Sequence, residues 1–263
     1  MRIRQQRQFQ YGYNSITEMD GNYPDMLMDF GILKLDMGQE ITSREGKERA
    51  FLLITGEVEF EWDGHGAVAK RASCFDEMPW CLHVPSDVPI MISCLKQGTE
   101  LSVHKTINAQ RFEARLFKPE DCHNEERGIP SLKDTATRIV RTIIDKSNRK
   151  NSNLVLGETI NFPGRWSGYP PHHHPQPEIY FYKFNLENGF GYAEVGEQVY
   201  KLRTNDTLLI YPGVTHPQVS APGYAMCYIW AIRHLDNLPY IAPIFAPEYM
   251  WVTDNNIPIW PDN

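Results

Sequence analysis

Short runs of apolar residues, many of them alternating with polar ones, recur along the whole chain. Residues 58–62 (Val-Glu-Phe-Glu-Trp) alternate strictly, after an apolar run at 50–54 and before the dipeptide Asp63-Gly64. A period of two residues is the pattern of a half-buried strand, and Asp-Gly marks a tight turn. The second half of the chain repeats this pattern at 178–184, 191–195, 207–211 and 226–232. Short strands at this spacing predict an all-β sandwich or barrel.

Two landmarks recur at a nearly constant distance. Glu48 and Glu178 each open an apolar strand and are 130 positions apart, and Pro89 and Pro217 each precede a strand and are 128 positions apart. This repeat predicts two related β-barrels in tandem, an N-terminal one over residues 1–115 and a C-terminal one over residues 116–263. The segment between about 112 and 160 is polar and poor in strand signals. Its apolar residues within 133–150 fit either one helical face or an irregular strand, and the pattern does not decide between them.

Composition and charge exclude several classes of protein. Nineteen prolines in 263 residues, without long Ala/Glu/Lys/Leu runs, argue against a helical bundle. A formal charge of −7 argues against a nucleic-acid-binding protein. No apolar run reaches the ~20 residues of a membrane helix, and the N-terminus lacks the apolar core of a secretory signal. The five cysteines form no CxxC pair and lie mostly in apolar stretches, so we expect buried, reduced thiols and a cytoplasmic protein.

The segment Pro170–Glu178 carries the candidate chemistry. In an extended chain His172 and His174 point to one face, and Glu178, which opens the next strand, can return a carboxylate to that face. Downstream, the turn at 211–217 adds His216. A lone His-x-His would be typical of a surface loop, but with Glu178 and His216 the pattern predicts a metal site. Three imidazoles and one carboxylate suit Zn²⁺, Fe²⁺, Mn²⁺, Ni²⁺ or Co²⁺.

These residues resemble the two metal-binding motifs of the cupin superfamily, His-x-His…Glu and Pro-x-Gly…His. The segment 165–174 (Arg-Trp-Ser-Gly-Tyr-Pro-Pro-His-His-His) is more closely similar to the 5-deoxy-glucuronate isomerases of inositol catabolism. The likeness extends over most of the chain. Four positions depart from the usual pattern of that family: Gly168 stands for a serine, His173 for a lysine, Lys183 for an arginine and Asn205 for a glycine.

The resemblance implies a bicupin, that is, two tandem jelly-roll-type β-barrels with short helices. It further implies one divalent metal ion per chain, with zinc as the first choice, held in the second barrel by His172, His174, Glu178 and His216. Subtracting the repeat distance places Thr42, Arg44, Glu48 and Val88 at the corresponding positions of the first barrel. Only the glutamate is kept, so we expect no metal in the first barrel.

The function implied is a metal-dependent aldose–ketose isomerase that converts 5-deoxy-glucuronate to 5-dehydro-2-deoxy-gluconate. Glu178, Tyr180 and Tyr182 are the candidate catalytic residues, because strand alternation places both tyrosines on the face of Glu178; ordinary barrel packing is the alternative for each tyrosine. Arg165 and Lys183 are the candidates for binding the sugar-acid substrate. An isomerase of a related uronate, an Fe²⁺ cupin dioxygenase with the same ligands and a sugar-sensing cupin are the alternatives. Analogy with other cupins also predicts a homo-oligomer. The negative charge and the lack of a long apolar run predict neither nucleic-acid nor membrane partners.

Overall fold

The computed structural model describes residues 1–129, 131–254 and 257–261. They form an almost purely β structure with four short 3-10 helices at Pro24–Met26, Pro119–Asp121, Ser131–Asp134 and Pro247–Thr253. The strands of the first half are β1 Arg2–Ile3, β2 Gly12–Thr17, β3 Asp29–Leu35, β4 Glu40–Ser43, β5 Glu48–Trp62, β6 His65–Arg71, β7 Cys81–Val84, β8 Ile90–Cys94, β9 Thr99–Thr106, β10 Arg115–Phe117 and β11 His123–Arg127. Those of the second half are β12 Arg138–Ile144, β13 Leu154–Asn161, β14 Trp166–Ser167, β15 His172–His173, β16 Glu178–Phe184, β17 Gly191–Val195, β18 Gln198–Leu202, β19 Thr207–Ile210, β20 Gln218–Ser220, β21 Met226–Arg233 and β22 Ile244–Phe245.

The chain forms two compact units. The first unit comprises Gln6–His123 and Thr142–Leu156, and the second unit comprises Met1–Gln5, Asn124–Arg141 and Gly157–Asn263. Both units are therefore discontinuous in sequence, because residues 1–5 belong to the second unit and the end of the β12–β13 hairpin, residues 142–156, belongs to the first. The single boundary expected between residues 115 and 116 stays a prediction.

The first unit contains a nine-stranded sheet in the order β10-β7-β5-β9-β3-β2, with β4, β6 and β8 attached through β5 and β8. The long strand β5 explains this arrangement, because its first half pairs with β7 and β9 and its second half with β6 and β8. Gly56 lies at the change of partners with φ near +111°, and a Cβ there would come within 2.7 Å of the Thr99 backbone, so only glycine fits. The core of this unit is built mainly from aliphatic and Phe side chains.

The second unit repeats this pattern. Its sheets have the orders β1-β19-β16-β21-β13-β12-β11 and β14-β20-β17-β18, and β15 pairs separately with β22. Strand β16 lies between β19 and β21, as the first half of β5 lies between β7 and β9. Glu178 and Glu48 each occupy the first position of the equivalent strand, and Pro217 and Pro89 each directly precede the equivalent strands β20 and β8. The predicted all-β architecture of two related barrels is thereby confirmed.

The ambiguous segment 133–150 contains the strand β12 rather than a helix. Its Ile143 and Ile144 are both fully buried, since β12 lies between β11 and β13 in the sheet. All five cysteines are buried, as predicted. Within the described residues, none of the helices has the length and apolar character that a membrane span would need.

Candidate metal centre

The four predicted ligands come from three neighbouring pieces of the second unit. His172 lies in β15 and His174 follows it, Glu178 is the first residue of β16, and His216 lies in the loop between β19 and β20. Because β16 is an interior strand of its sheet, its first residue is held by both neighbours: Glu178 is opposite Ile210 on β19 and Ile232 on β21. The carboxylate is therefore fixed by the sheet, and the histidines approach it from flanking loops.

His174, Glu178 and His216 form a compact, buried cluster. Nε2 of His174 lies 3.1 Å from Oε2 of Glu178, and Nε2 of His216 lies 3.2 Å from the same oxygen. One donor atom from each residue lies within 4.8 Å of the other two, and all three residues are buried. The His172 ring stands edge-on to the His216 ring with 4.8 Å between centroids, so it borders this cluster without being part of its tightest group.

Backbone carbonyls orient all three imidazoles in the same way. Nδ1 of His172, His174 and His216 lies 3.1, 3.0 and 2.8 Å from the carbonyl oxygens of Pro170, Gln176 and Val214, respectively. A carbonyl oxygen only accepts, so each Nδ1 carries the proton and a neutral ring has its lone pair on Nε2. The Nε2 atoms of His174 and His216 thus face the Glu178 carboxylate as acceptors. Lone pairs that face one another repel, and a cation bound between these atoms would stabilise the arrangement.

The charges at the site are shifted as expected for this arrangement. Burial alone would raise the pKa of Glu178, but hydrogen bonds and positive charge from His174 and His216, when these rings carry a proton on Nε2, outweigh burial and lower the pKa to about 2. Burial, reinforced by His216, lowers the pKa of His172 to about 4. Near neutral pH the cluster therefore holds an ionised carboxylate, and His172 is a neutral imidazole, which is the form that binds metals.

The residues fit a divalent metal ion. Nε2 of His216 is buried and has no hydrogen-bond partner among the described residues. Two ligands at about 2.1 Å from one ion lie about 3.0–3.4 Å apart for angles between 90° and 109°. The observed spacings of 3.1 and 3.2 Å from Glu178 match this range. Nitrogen and carboxylate donors in this ratio suit zinc and the neighbouring transition metals.

A row of tyrosines lines the barrel interior beside the cluster. The Tyr180 ring lies 5.8 Å from that of His216 and 4.7 Å from that of Tyr228. Tyr182, two residues further along β16 and on the same strand face, donates its hydroxyl proton to Oε1 of Gln218 at 2.6 Å. No hydrogen bond of the Tyr180 hydroxyl is found within the described part of the chain, so this phenol, unlike Tyr182, is not committed to a structural partner.

The contacts of the two predicted substrate-binding residues differ. Nζ of Lys183 donates to Oδ1 of Asn205 at 2.7 Å, and Lys183 occupies the strand face opposite to Glu178. The contacts of Arg165 are made by its backbone, whose N–H donates to Phe162 O at 3.0 Å and whose carbonyl accepts from Ser220 N at 3.2 Å. Their role in substrate binding stays a prediction.

Sequence reasoning missed a segment that crosses the site. The Tyr240 ring lies edge-on to His174 with 5.0 Å between centroids, and the Phe245 ring lies 5.8 Å from His172. Strand β22 pairs with β15, and Nε2–H of Gln176 donates to Leu238 O at 2.8 Å. The signal in the sequence is the high content of proline and aromatic residues over 238–260, which indicates packing across a barrel or against a partner subunit but gives no position.

Two of the departures from the family pattern have a physical explanation. Asn205 has φ near +70°, a left-handed conformation that asparagine tolerates better than other residues with a side chain, so it can stand where glycine is usual. Gly168 has φ near +62°, and a Cβ at this position would lie 2.9 Å from the carbonyl oxygen of His216. In this chain glycine allows the backbone before the histidines to approach the ligand His216 closely.

In the first unit the residue equivalent to Glu178 has a different environment. The fully buried Glu48 carboxylate accepts hydrogen bonds from His83 Nε2 at 2.7 Å, Asn108 Nδ2 at 2.7 Å, Asn153 N at 2.8 Å and the Ser152 hydroxyl. Arg149 Nε donates to His83 Nδ1 at 3.0 Å, so His83 is protonated on Nε2. Thr42 and Arg44, at the positions equivalent to His172 and His174, are exposed. Glu48 thus takes part in a buried hydrogen-bond network.

Comparison with known proteins agrees with this architecture. The chain is 26% identical to the 5-deoxy-glucuronate isomerase of Geobacillus thermodenitrificans, over 87% of both chains. It is 24% identical to the enzyme of the same name from Bacillus subtilis strain 168, over 87% of this chain and 90% of that one. An IolB-like protein from Salmonella typhimurium has a similar structure, with a TM-score of 0.84 and 19% identity over 94% of this chain and 97% of that one.

A more distant structural relative extends the likeness in fold. Oxalate decarboxylase from Bacillus subtilis superposes with a TM-score of 0.62 at 11% identity, over 92% of this chain and 78% of the other. At this identity the similarity shows the shared fold alone. The family model, by contrast, matches residues 2–252, which is nearly the full chain. The chain belongs to the KduI/IolB family.

Proposed function

We propose that the protein is a divalent-metal-dependent aldose–ketose isomerase of inositol catabolism that converts 5-deoxy-glucuronate to 5-dehydro-2-deoxy-gluconate. The observation that carries this proposal is the buried cluster of His174, Glu178 and His216, in which two Nε2 atoms face one carboxylate oxygen. Membership of the KduI/IolB family and full-length relatives named 5-deoxy-glucuronate isomerase support the reaction class.

The reaction moves hydrogen within one sugar and needs no second substrate. The hydrogen on C2 is transferred to C1, and the hydroxyl proton of O2 is replaced by one on O1, so that the aldehyde becomes a hydroxymethyl group and C2 becomes the ketone. A bound divalent cation would polarise the carbonyl and hydroxyl oxygens and so acidify the C2 proton. His172, His174, Glu178 and His216 would hold that cation. Zinc is our first choice, and Mn²⁺, Fe²⁺, Ni²⁺ and Co²⁺ are the alternatives.

Protein groups must carry the proton. Tyr180 is the better placed of the two tyrosine candidates, because its ring contacts His216 and its hydroxyl has no hydrogen bond within the described residues. Burial and the Glu178 carboxylate raise the pKa of Tyr180 well above its usual value, so the phenol is protonated at neutral pH and can donate to a developing oxyanion. Tyr182 binds Gln218 and shapes the barrel interior. Glu178 is a metal ligand in this scheme. It could act as the general base only if it were loosely bound to the ion.

The direct test is conversion of the substrate. Metal-stripped protein is loaded separately with each of the five ions and incubated with 5-deoxy-glucuronate, and the 2-keto product is followed by proton NMR in the presence and absence of oxygen. We expect product under both atmospheres, loss of activity in Glu178→Gln, and unchanged activity in His65→Ala, which alters an exposed histidine of the first unit. Absence of product with all five ions would overturn the substrate assignment. Activity only with oxygen and iron would point to a dioxygenase instead.

A further inference from the structure

Arg138, the first residue of β12, presents a partly buried guanidinium that has no acidic partner among the described residues. Its Nη1 donates to the carbonyl oxygen of Ala136 at 2.8 Å and its Nη2 to that of Tyr169 at 3.3 Å. These contacts use two of the five N–H donors of an arginine. Neither carbonyl carries a net charge, and within the described residues no carboxylate forms an ion pair with Arg138. Its positive charge is therefore not neutralised by any carboxylate of the described residues.

Arg141, three residues later on the same strand, shows the contrast. Its Nη1 lies 2.8 Å from Oε1 of Glu158, and both side chains are buried. A guanidinium withdrawn from water is costly unless a counter-charge accompanies it, and Arg141 has one. Arg138 is partly withdrawn from water but has no carboxylate partner among the described residues. Burial, together with the positive charge of Arg127, lowers the pKa of Arg138. An anion supplied from outside the chain would neutralise it.

Arg138 borders the candidate metal centre. The carbonyl that it binds belongs to Tyr169, the residue before Pro170, whose own carbonyl orients His172. Burial raises the pKa of the Tyr228 phenol, while nearby Arg138 lowers it and nearby Glu178 raises it, and the Tyr228 ring packs against Tyr180. Tyr228 thus has the Arg138 guanidinium and the Glu178 carboxylate as separate charged neighbours. A sugar acid likewise carries its reacting carbons and its carboxylate at opposite ends.

We propose that Arg138 binds the carboxylate of the sugar-acid substrate through its unused N–H donors. This inference rests on the proposed isomerase function and gives that function a further cationic contact, besides the predicted Lys183 and Arg165. Guanidinium and carboxylate form charge-assisted, two-pronged hydrogen bonds, which also fix the direction of the sugar relative to the cluster. Arg138 would accordingly determine specificity for uronates over neutral aldoses.

The kinetic test compares two substrates that differ only in the charged group: 5-deoxy-glucuronate and 5-deoxy-glucose, in which a hydroxymethyl group replaces the carboxylate. For Arg138→Gln we expect KM for the uronate to rise about tenfold to hundredfold, while the kinetics with the neutral sugar stay unchanged. Arg138→Lys keeps the charge but loses the planar fork, so its KM for the uronate should fall between those of the wild type and Arg138→Gln. Equal losses with both sugars would show that Arg138 is structural, and no loss with either would overturn the proposal.

A binding experiment separates this inference from the proposed function. Ligand-observed NMR with D-glucuronate and D-glucose as probes reports binding without requiring turnover. We expect wild-type protein to bind glucuronate in preference to glucose, and Arg138→Gln to lose that preference while keeping the wild-type circular dichroism spectrum. If this is seen although 5-deoxy-glucuronate is not converted, the function fails and the anion site stands. If the wild type converts 5-deoxy-glucuronate but Arg138→Gln still prefers glucuronate, the anion site fails and the function stands.

Discussion

Substitution of Glu48 tests whether the first-unit counterpart of Glu178 is a structural residue. In the native structure one oxygen of Glu48 accepts from His83 and Ser152, and the other accepts from Asn108 and Asn153. Glu48→Gln keeps the shape but turns an amide N–H₂ toward two of these donors. Two buried donors then lose their acceptor, at about 1–3 kcal/mol each, so we expect the free energy of unfolding to fall by about 2–6 kcal/mol.

Urea denaturation followed by circular dichroism measures this loss. The matched control is Glu61→Gln, which removes the same charge from an exposed position on the same strand β5 and should change the free energy of unfolding by less than about 0.5 kcal/mol. The metal content of folded Glu48→Gln protein should equal that of the wild type. Equal stability of the two variants would refute the structural role of the network. Loss of bound metal from folded Glu48→Gln protein would show that Glu48 still serves a metal site.

Three further predictions concern other buried residues. Burial lowers the pKa of His104 to about 3, so the folded protein keeps this ring neutral while the unfolded chain takes up a proton below pH ~6.5. Protonation of His104 in the unfolded chain should therefore lower the free energy of unfolding by about 2 kcal/mol between pH 6.5 and 5. The His104→Phe variant should show a correspondingly flatter pH profile in urea denaturation. Gly168→Ala pushes a Cβ against the His216 backbone, and metal affinity measured by competition with a chelator should fall about tenfold; an unchanged affinity would show that the loop yields at no cost. Tyr182→Phe leaves Gln218 without its hydrogen-bond donor, so it should lower the free energy of unfolding by about 1–3 kcal/mol with little change in kcat. Tyr180→Phe should instead lower kcat about a hundredfold with little change in stability. The opposite pattern in kcat and in urea midpoints would exchange the roles of the two tyrosines.

The sequence predicted the barrels because strand alternation is a local property. Residues 58–62 alternate in the sequence, and Val58 and Phe60 are buried in the structure. The segment around Ile143 could not be assigned, because two adjacent isoleucines fit either a helix face or a strand buried on both sides. The choice was made by β11 and β13, which enclose β12 in the sheet, and these contacts are not local.

The residues of the candidate metal cluster could be predicted because most of them are close in sequence, whereas the residues that surround the cluster come from distant segments. His172, His174 and Glu178 lie within seven residues, so the extended geometry of the chain alone relates them, and the turn at 211–217 added His216. Tyr240 contacts His174 from a segment more than sixty residues away, and no periodic pattern in the sequence predicts this contact. The homo-oligomer expected by analogy with other cupins stays a prediction.

Titration of metal into stripped protein tests the central claim most directly. Wild-type protein is freed of metal with a chelator, dialysed, and titrated with zinc under nitrogen while product formation from 5-deoxy-glucuronate is followed by NMR and bound metal by elemental analysis. The proposed function predicts that activity is absent at the start, rises in proportion to bound zinc and saturates near one ion per chain, and that Glu178→Gln gains neither ion nor activity. Full turnover by metal-free protein, or an ion bound without any turnover, would contradict it.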